Sequence, residues 1–425
     1  MTEAVSRADP SDQSTSEEDA PGRSPWALLG DRTFGPFFAG SLVSNAGNWF
    51  QNLAAAVVVY ELTRSNTLVG LVSVVQFSAT LVLSPWAGVA GDRFDRRHLL
   101  ISAQLVSLVG AGSLAVAVAV LGVDGLGGPL PVFAATAVIG IGYAISVPMI
   151  QALVPQLVRP RDLDSAIALS SVTFNLARAI GPALAGALIG VAGVGAAFGV
   201  NAATFLILAL ALTAIRPRPV EIDHATDDGD RSLRGGLRWA RADPVAIPIL
   251  LATLALGWAS DPVNTLSPAV ADGFGRSDAF VGALVSAFGA GAAVTVLFVE
   301  RVRNRLGPRR ATQLGLVLVA GGMVGLGASP HEIPALAALA VAGAGFLIGV
   351  TSLNGAMQRR VPEALRGRVM ALWSVALLGG RPFAALVDGG LADLTNTSTA
   401  LLVAGVVPLA AAIGLSRVRG EDADP

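Results

Sequence analysis

Two residue types are missing from this chain: it contains no cysteine, and all 29 of its basic residues are arginine. The absence of cysteine excludes disulfides, thiolate metal sites and cysteine nucleophiles. The absence of lysine removes the residue that completes a nucleotide-binding phosphate loop and the amine that forms a Schiff base. The three histidines, His98, His224 and His331, are far apart. We therefore expect no metal site, no cofactor and no enzymatic active site.

Charge is also scarce, because only 14% of the 425 residues are charged, whereas 53% are hydrophobic and the mean hydropathy is +0.64. A helix needs about 20 apolar residues to cross the hydrocarbon layer of a membrane, and the sequence contains twelve such stretches. Their approximate centres are Ala46, Phe77, Gly110, Ile141, Leu176, Leu206, Leu256, Gly289, Val319, Ala342, Leu378 and Leu409. Long runs rich in Ala, Leu and Gly suit helices rather than the alternating strands of a barrel. We predict an all-α membrane protein with twelve transmembrane helices.

The arginines are distributed unevenly between the two sides of this predicted topology. If the N-terminus lies inside, 25 of the 29 arginines fall in the termini and the inner loops. Arg64 and Arg276 fall in outer loops, and Arg178 and Arg381 fall within spans. Because positive charge accumulates on the cytoplasmic side, we predict a multi-pass protein of the cell inner (plasma) membrane with both termini in the cytoplasm.

A short basic segment occurs twice in the chain. Residues 88–97 lie between the second and third spans, and residues 300–309 repeat their pattern 212 positions later. In the copy, Asn304 replaces Asp92. An offset of half the chain is typical of transporters built from two repeated bundles. The predicted divisions are a disordered cytoplasmic tail at 1–25, six-helix bundles at 26–215 and 244–418, a cytoplasmic linker at 216–243 with a short surface helix near 237–241, and a cytoplasmic tail at 419–425.

Three motifs within this pattern resemble those of the major facilitator superfamily, in particular its drug and siderophore exporter branch, which includes enterobactin and macrolide efflux proteins. The motifs are Gly88-x3-Asp92-Arg93-x2-Arg96-Arg97, Gly181-Pro182, and Pro362-x3-Arg366-Gly367-Arg368-Val369. The resemblance implies two pseudo-symmetric six-helix bundles that transport a solute by alternating access. It also implies that a conformational latch closes the cytoplasmic side in one state, formed by Gly88, Asp92, Arg93, Arg96 and Arg97. A basic loop that only sets the topology is the alternative.

The resemblance leaves the energy coupling open. Classical proton-antiport drug exporters carry an arginine five residues before the glycine pair of the fourth span, whereas Ala135 stands there in this chain. Asp261 is the candidate for a proton-binding carboxylate, because it lies within the seventh span directly before the helix-breaking Pro262. The alternatives are a permanent ion pair or a feature of the kink. Asp388, nearer the outer surface, is a further ionisable residue within a span.

Polar residues in the first span recur at intervals of three or four and share one helix face. Because polar side chains avoid lipid, we expect them to line a central substrate cavity, although packing between helices would also explain them. The predicted cavity residues are Ser44, Asn45, Asn48, Trp49, Gln51, Asn52, Arg178 and Arg381. The two arginines lie at matching places in the two halves. They would attract an anionic or catechol-like substrate, or one of them would neutralise Asp261.

The function that these features favour is secondary active transport, as proton-driven export of an amphipathic small molecule of the drug or siderophore type. An importer or uniporter of a small solute is the alternative from the same fold. A non-transporting receptor would need a sizeable folded soluble domain, and the sequence offers none. The expected partners are a small-molecule substrate, protons and the lipid bilayer. We expect no nucleic acid partner, and we expect a monomer.

Overall fold

The structure is a computed structural model that describes residues 23–218, 233–362 and 365–417. Within these ranges the chain is helical and contains no β-strand. The first half comprises α1 (Pro25–Leu29), α2 (Phe34–Thr63), α3 (Asn66–Arg93), α4 (Arg96–Leu121), α5 (Leu130–Leu157) and α6 (Leu163–Ala214). Helix α6 is two helices joined at Gly193, whose φ of 77° lies in the left-handed region that glycine adopts without strain.

The second half begins with a short helix, α7 (Leu233–Ala242). Its seventh span is divided into α8 (Ala246–Ala259), α9 (Pro262–Thr265) and α10 (Ser267–Gly273). The remaining helices are α11 (Asp278–Val296), α12 (Val299–Gly327), α13 (Glu332–Arg360), α14 (Arg366–Gly379), α15 (Arg381–Leu394) and α16 (Thr397–Arg417). Helices α14 and α15 form the eleventh span, which is interrupted at Gly380.

Twelve spans are present, as the sequence predicts, and each predicted centre lies inside a helix. Among the described residues, nine helical stretches are long and apolar enough to cross a membrane by length and composition. Helices α2 and α3 and the part of α6 before Gly193 complete the twelve. Helix α2 falls short of a uniformly apolar span because it carries several amide side chains, and in α3 the apolar stretch Asn66–Thr80 is shorter than the other nine. The all-α, twelve-helix prediction is therefore confirmed.

The predicted tail at 1–25 extends too far along the chain. The backbone N–H of Arg23 donates to Asp162 at 2.7 Å, and Ser24 caps α1, which begins with Pro25. Proline at the first position of a helix and serine at its N-cap favour helix formation, so these residues are ordered. The rest of that tail, residues 219–232 of the linker and the tail at 419–425 lie outside the described residues. Helix α7 covers the predicted surface helix.

The two halves pack against each other through α6 with α11 and through α3 with α15. We call the face where residues 23 and 417 lie the terminal face, and the opposite one the distal face. Gly186 and Gly282 bring two helices into backbone contact, since a Cβ on either would overlap the other's carbonyl. Gly70 lies in the same way against the carbonyl of Ala385. These contacts lie in the distal half of each span, so they join the halves near the distal face.

Candidate functional site

A cavity of ≈ 190 Å³ lies between the two halves. On each helix that joins the halves, the residues lining it lie on the terminal side of the inter-half contact. On α3 the contact is at Gly70 and the lining residue is Gln76, and on α15 the contact is at Ala385 and the lining residue is Arg381. The distal contacts therefore form the floor of the cavity.

Four of the six polar or aromatic residues predicted on α2 line this cavity: Asn45, Asn48, Trp49 and Asn52. The other two do not, which corrects the prediction for them. Ser44 donates to Gln104 of α4 at 3.4 Å, and Gln51 accepts a bond from Asn201 of α6 at 3.3 Å. The polar face is wider than the part of α2 that borders the cavity, so its edges pack against neighbouring helices instead.

The wall also contains residues that the sequence analysis missed. They share either an amide or hydroxyl group or an aromatic ring: Gln76, Phe77, Tyr143, Asn264, Phe288, Phe346 and Thr351. They come from five helices, so no sequence periodicity brings them together. Trp49 lies against Gly181, where its indole occupies the space that a Cβ would fill. Apolar rings combined with a few amides suit an amphipathic ligand with hydrogen-bonding groups.

Among the described residues that line the cavity, Arg381 is the one that carries a charge, and it forms an ion pair with Asp261. Its Nε lies 3.6 Å from Asp261 Oδ1. Asp261 is 1% exposed and accepts a 2.6 Å hydrogen bond from the Thr265 hydroxyl. The break between α8 and α9 at Pro262 places this carboxylate inside the bundle, and Gly380 places Arg381 at the start of α15. This conformation thus shows the pairing with an arginine that the sequence left as one alternative.

Asp388 lies deeper, beyond this ion pair as seen from the cavity. It is 1% exposed, and its Oδ2 has no hydrogen-bond partner among the described residues. Its carboxyl lies near enough to that of Asp261 for the two to repel each other when both are charged, and it lies beside Trp258. The matching arginine of the first half, Arg178, is on α6, and its side chain lies outside the described part of the structure.

The predicted latch loop lies at the terminal face, where α3 ends at Arg93 and α4 begins at Arg96. Gly88 is in the last turns of α3. Asp92 is also in α3, and its side chain lies outside the described part of the structure, so its contact with the other half stays a prediction. Arg93 is exposed.

Two arginines of this loop bind backbone carbonyls of their own half. Arg96 donates to Gly91 at 3.3 Å and to Ala152 at 3.2 Å. Arg97 donates to Leu212 and Thr213, both at 2.7 Å, at the end of α6. A guanidinium favours the unpaired carbonyls at the C-terminus of a helix, where the helix dipole is negative.

The repeated segment forms the same contact in the second half. Arg309, 212 positions after Arg97, donates to the carbonyls of Leu415 and Ser416 at 2.9 and 2.8 Å, in the last turn of α16. The sixth and twelfth spans are therefore each held by an arginine from the loop between the second and third spans of the same half. The repeat is visible in the sequence, but this role is not.

Charged groups at the distal face instead link the two halves. Asp393, at the end of α15, accepts bonds of 2.8 and 2.9 Å from the backbone N–H groups of Asn66 and Thr67, at the start of α3. It also accepts bonds from the side chains of Ser65, Asn66 and Thr67. Arg64 pairs with Asp272 at 2.6 Å, and the Tyr60 hydroxyl donates to the same carboxylate at 3.4 Å. A carboxylate from one half thus caps a helix of the other.

Twelve helices in two halves around a central cavity define a multi-pass transporter of the major facilitator type. The family model described as transmembrane secretion effector matches residues 23–424, and the chain belongs to that family. It is 30% identical over 404 residues to the enterobactin exporter EntS of Shigella boydii serotype 4 (strain Sb227), covering 91% of this chain and 93% of that protein. The same identity and coverage hold for EntS of Escherichia coli O6:K15:H31 (strain 536 / UPEC).

Solved structures with the same fold are much less similar in sequence. The nucleoside transporter NupG aligns with a TM-score of 0.70 at 13% identity, covering 91% of this chain and 99% of that one. A D-xylose-proton symporter aligns with a TM-score of 0.69 at 15% identity, covering 90% and 97%. At these identities the likeness establishes the fold, and the predicted transporter architecture of two six-helix bundles is confirmed.

Proposed function

We propose that this protein exports an amphipathic small molecule across the inner membrane by alternating access, in exchange for protons. The observation that carries the proposal is the cavity between the two halves, closed on one side by contacts that can part. The units that rock are residues 26–215 and 244–418, acting as a monomer. The arginine distribution orients the terminal face toward the cytoplasm. In that orientation the distal face is the outer one, and this conformation presents its cavity to the cytoplasm.

The composition of the cavity supports an aromatic or catechol-like substrate. The rings of Trp49, Phe288 and Phe346 offer stacking surfaces, and the amides of Asn48 and Asn264 offer hydrogen bonds. Arg381 supplies a positive charge, and Arg178 is a second candidate for that role. The names of the similar exporters support a siderophore-type substrate and the outward direction.

Asp261 is the proposed proton-coupling residue. It is buried and ionisable, and its partner Arg381 borders the cavity. A proton on Asp261 would neutralise the carboxylate and release Arg381. Protonation of Asp261 would therefore make an unpaired positive charge available at the cavity wall. In the outward-facing state we propose that Gly88, Asp92 and Arg93 latch the cytoplasmic side, while Arg96 and Arg97 fix the loop to its own half.

Transport into inside-out membrane vesicles tests this proposal. We expect an inwardly acidic pH gradient to drive accumulation of at least one compound from a panel of lipophilic dyes, antibiotics and catechol siderophores. Trp49→Ala should lower the initial rate about tenfold or more, because it removes a stacking surface at the centre of the cavity. Trp26→Ala is the matched control, since Trp26 is 82% exposed at the terminal face.

Two results would contradict the proposal. Accumulation of no compound, with or without the gradient, would favour a protein that does not transport. Equilibration that does not respond to the gradient would favour a uniporter. An equal loss of rate in both tryptophan variants would show that the cavity is not the substrate site.

A further inference from the structure

Three ionisable side chains form a connected group behind the cavity, and Asp388 is the member to which the proposed function gives no role. Asp261, Arg381 and Asp388, here called the buried trio, come from the seventh and eleventh spans. Both carboxyls are 1% exposed. With both acids ionised and the arginine charged, the trio would carry one uncompensated negative charge inside the membrane. One bound proton makes it neutral.

The geometry indicates where this proton is held. Asp261 has two groups that favour its ionised form, the Arg381 guanidinium at 3.6 Å and the Thr265 hydroxyl at 2.6 Å. Asp388 has one such group, the Trp258 side chain, and no arginine partner in the described part of the chain, and its Oδ2 receives no hydrogen bond there. A neutral carboxylic acid tolerates such a setting far better than a carboxylate does.

The position of Asp388 links its protonation to the closure of the distal face. It lies on α15 between Ala385, which contacts Gly70 of α3, and Gly389, which contacts the carbonyl of Asn66. The turn that carries Asp388 is therefore the turn that meets the other half. When α3 and α15 part, this turn loses its cover and the carboxyl meets outside water, in which it can ionise.

Among the described side chains, no other ionisable group on the neighbouring helices offers the same setting. The remaining ionisable residues on the packed elements lie near helix ends: Tyr60 and Glu61 on α2, Asp92 and Arg93 on α3, Asp272 on α10, Arg366 and Arg368 on α14, Asp393 on α15 and Arg417 on α16. Across the cavity, Tyr143 of α5 lines the wall, and the side chain of Arg178 on α6 lies outside the described part of the structure. The amides of Asn52 on α2 and Gln76 on α3 line a small pocket beside Arg381, and Asn66 of α3 lies against Gly389.

We propose that Asp388 and Asp261 form a two-carboxyl proton site with Arg381 as its counterion, and that Asp388 must take up a proton from outside before the distal face can close. The proton on Asp388 Oδ2 then passes to Asp261 as Arg381 leaves it, and from there to the cavity and the cytoplasm. Because the two acids share one proton, they titrate as a unit. The inference rests on the proposed export function, since it supplies the return step of that cycle.

The test measures the opening of the distal face directly and needs no substrate. The chain has no cysteine, so Leu130→Cys and Ser398→Cys can carry spin labels at exposed distal ends of the two halves. Distances are measured by electron paramagnetic resonance in lipid nanodiscs. We expect the fraction of molecules with the longer distances of an open distal face to increase about fivefold or more between about pH 5.5 and 8.5. Asp388→Asn, a permanently neutral side chain, should keep the short distances at both pH values.

A matched control and a second variant complete the experiment. Asp124→Asn changes an exposed aspartate at the distal face and should keep the wild-type response. If Asp388→Asn does not fold, Asp388→Glu should retain the response with its midpoint displaced by at least about 0.5 pH unit, and an unmoved midpoint would overturn the proposal.

The outcome separates this inference from the proposed function. A pH response that Asp388→Asn abolishes supports the two-carboxyl site even where the vesicle panel finds no substrate. A pH response that survives Asp388→Asn, or no response in the wild type, overturns it even where transport is found.

Discussion

The two faces of this molecule use charged side chains in opposite ways. At the distal face, Asp393 and Asp272 bind groups of the other half. At the terminal face, Arg97 and Arg309 bind carbonyls of their own half. The first arrangement joins two bodies by contacts that can separate, and the second strengthens each body. This difference is what alternating access requires, because the halves must stay intact while one of the contacts between them opens.

Breaking the distal contact should have the largest effect. Asp393→Ala removes the carboxylate that caps α3 from the other half, and the loss of an N-cap costs about 1–2 kcal/mol. We expect the ratio of open to closed distal face to rise about 5–30-fold. A single cysteine placed at Asn264 in the cavity should then react faster with a membrane-impermeant thiol reagent added outside. Asp124→Ala should leave this rate unchanged, and an unchanged rate in Asp393→Ala would show that the cap does not hold the face closed.

Breaking a terminal contact should lower stability without opening the molecule. Arg97→Ala and Arg309→Ala each remove two hydrogen bonds from a charged donor to helix-end carbonyls, a loss of about 1–3 kcal/mol each. We expect similar decreases in the thermal unfolding midpoint in detergent, because the contacts are equivalent. Arg305→Ala, at an exposed position near the start of α12, is the control. Strongly unequal decreases, or faster labelling from outside, would contradict the comparison.

The smallest expected effect is the pH dependence of stability that Asp243 contributes at the terminal face. Burial acts to raise the pKa of Asp243, but hydrogen bonds from the Val245 N–H, the Arg360 guanidinium and the Ala246 N–H outweigh it and hold the pKa below its ordinary value of 3.8. The stabilisation is therefore fully present above that value and is lost as the pH falls through the lowered pKa.

A pair of melting curves checks this expectation. The difference in unfolding midpoint between wild type and Asp243→Ala should be largest near neutral pH and should shrink below about pH 4. A difference that is the same at both pH values would show that the carboxylate charge contributes nothing, and that the substitution acts through packing alone.

Much of the fold followed from the sequence, because a membrane span is encoded locally by about 20 consecutive residues. The break before Asp261 was also predictable, because Pro262 interrupts the hydrogen bonding of the helix that contains it, which is again a local effect. The polar face of α2 was also predicted. The sequence did not indicate which of its residues border the cavity and which, like Ser44 and Gln51, pack against α4 and α6.

The missed features depend on partners that a sequence does not display. The acceptors of Arg97 and Arg309 are backbone carbonyls, which every residue has, so the repeat was visible and its purpose was not. Asp393 is more than 320 positions from the helix it caps, and in sequence it is one more charge at the end of a span. The cavity aromatics come from separate helices and share no spacing.

The contact of Arg97 with Leu212 and Thr213 also bears on how the chain is made. Both partners precede residue 214, so every group that this contact needs lies within the first half of the chain. The first six helices can therefore reach their packed arrangement without any residue of the second half. The two halves can then assemble in the membrane by docking as preformed six-helix units. This would explain why each half has its own contact between an arginine and the end of its last helix.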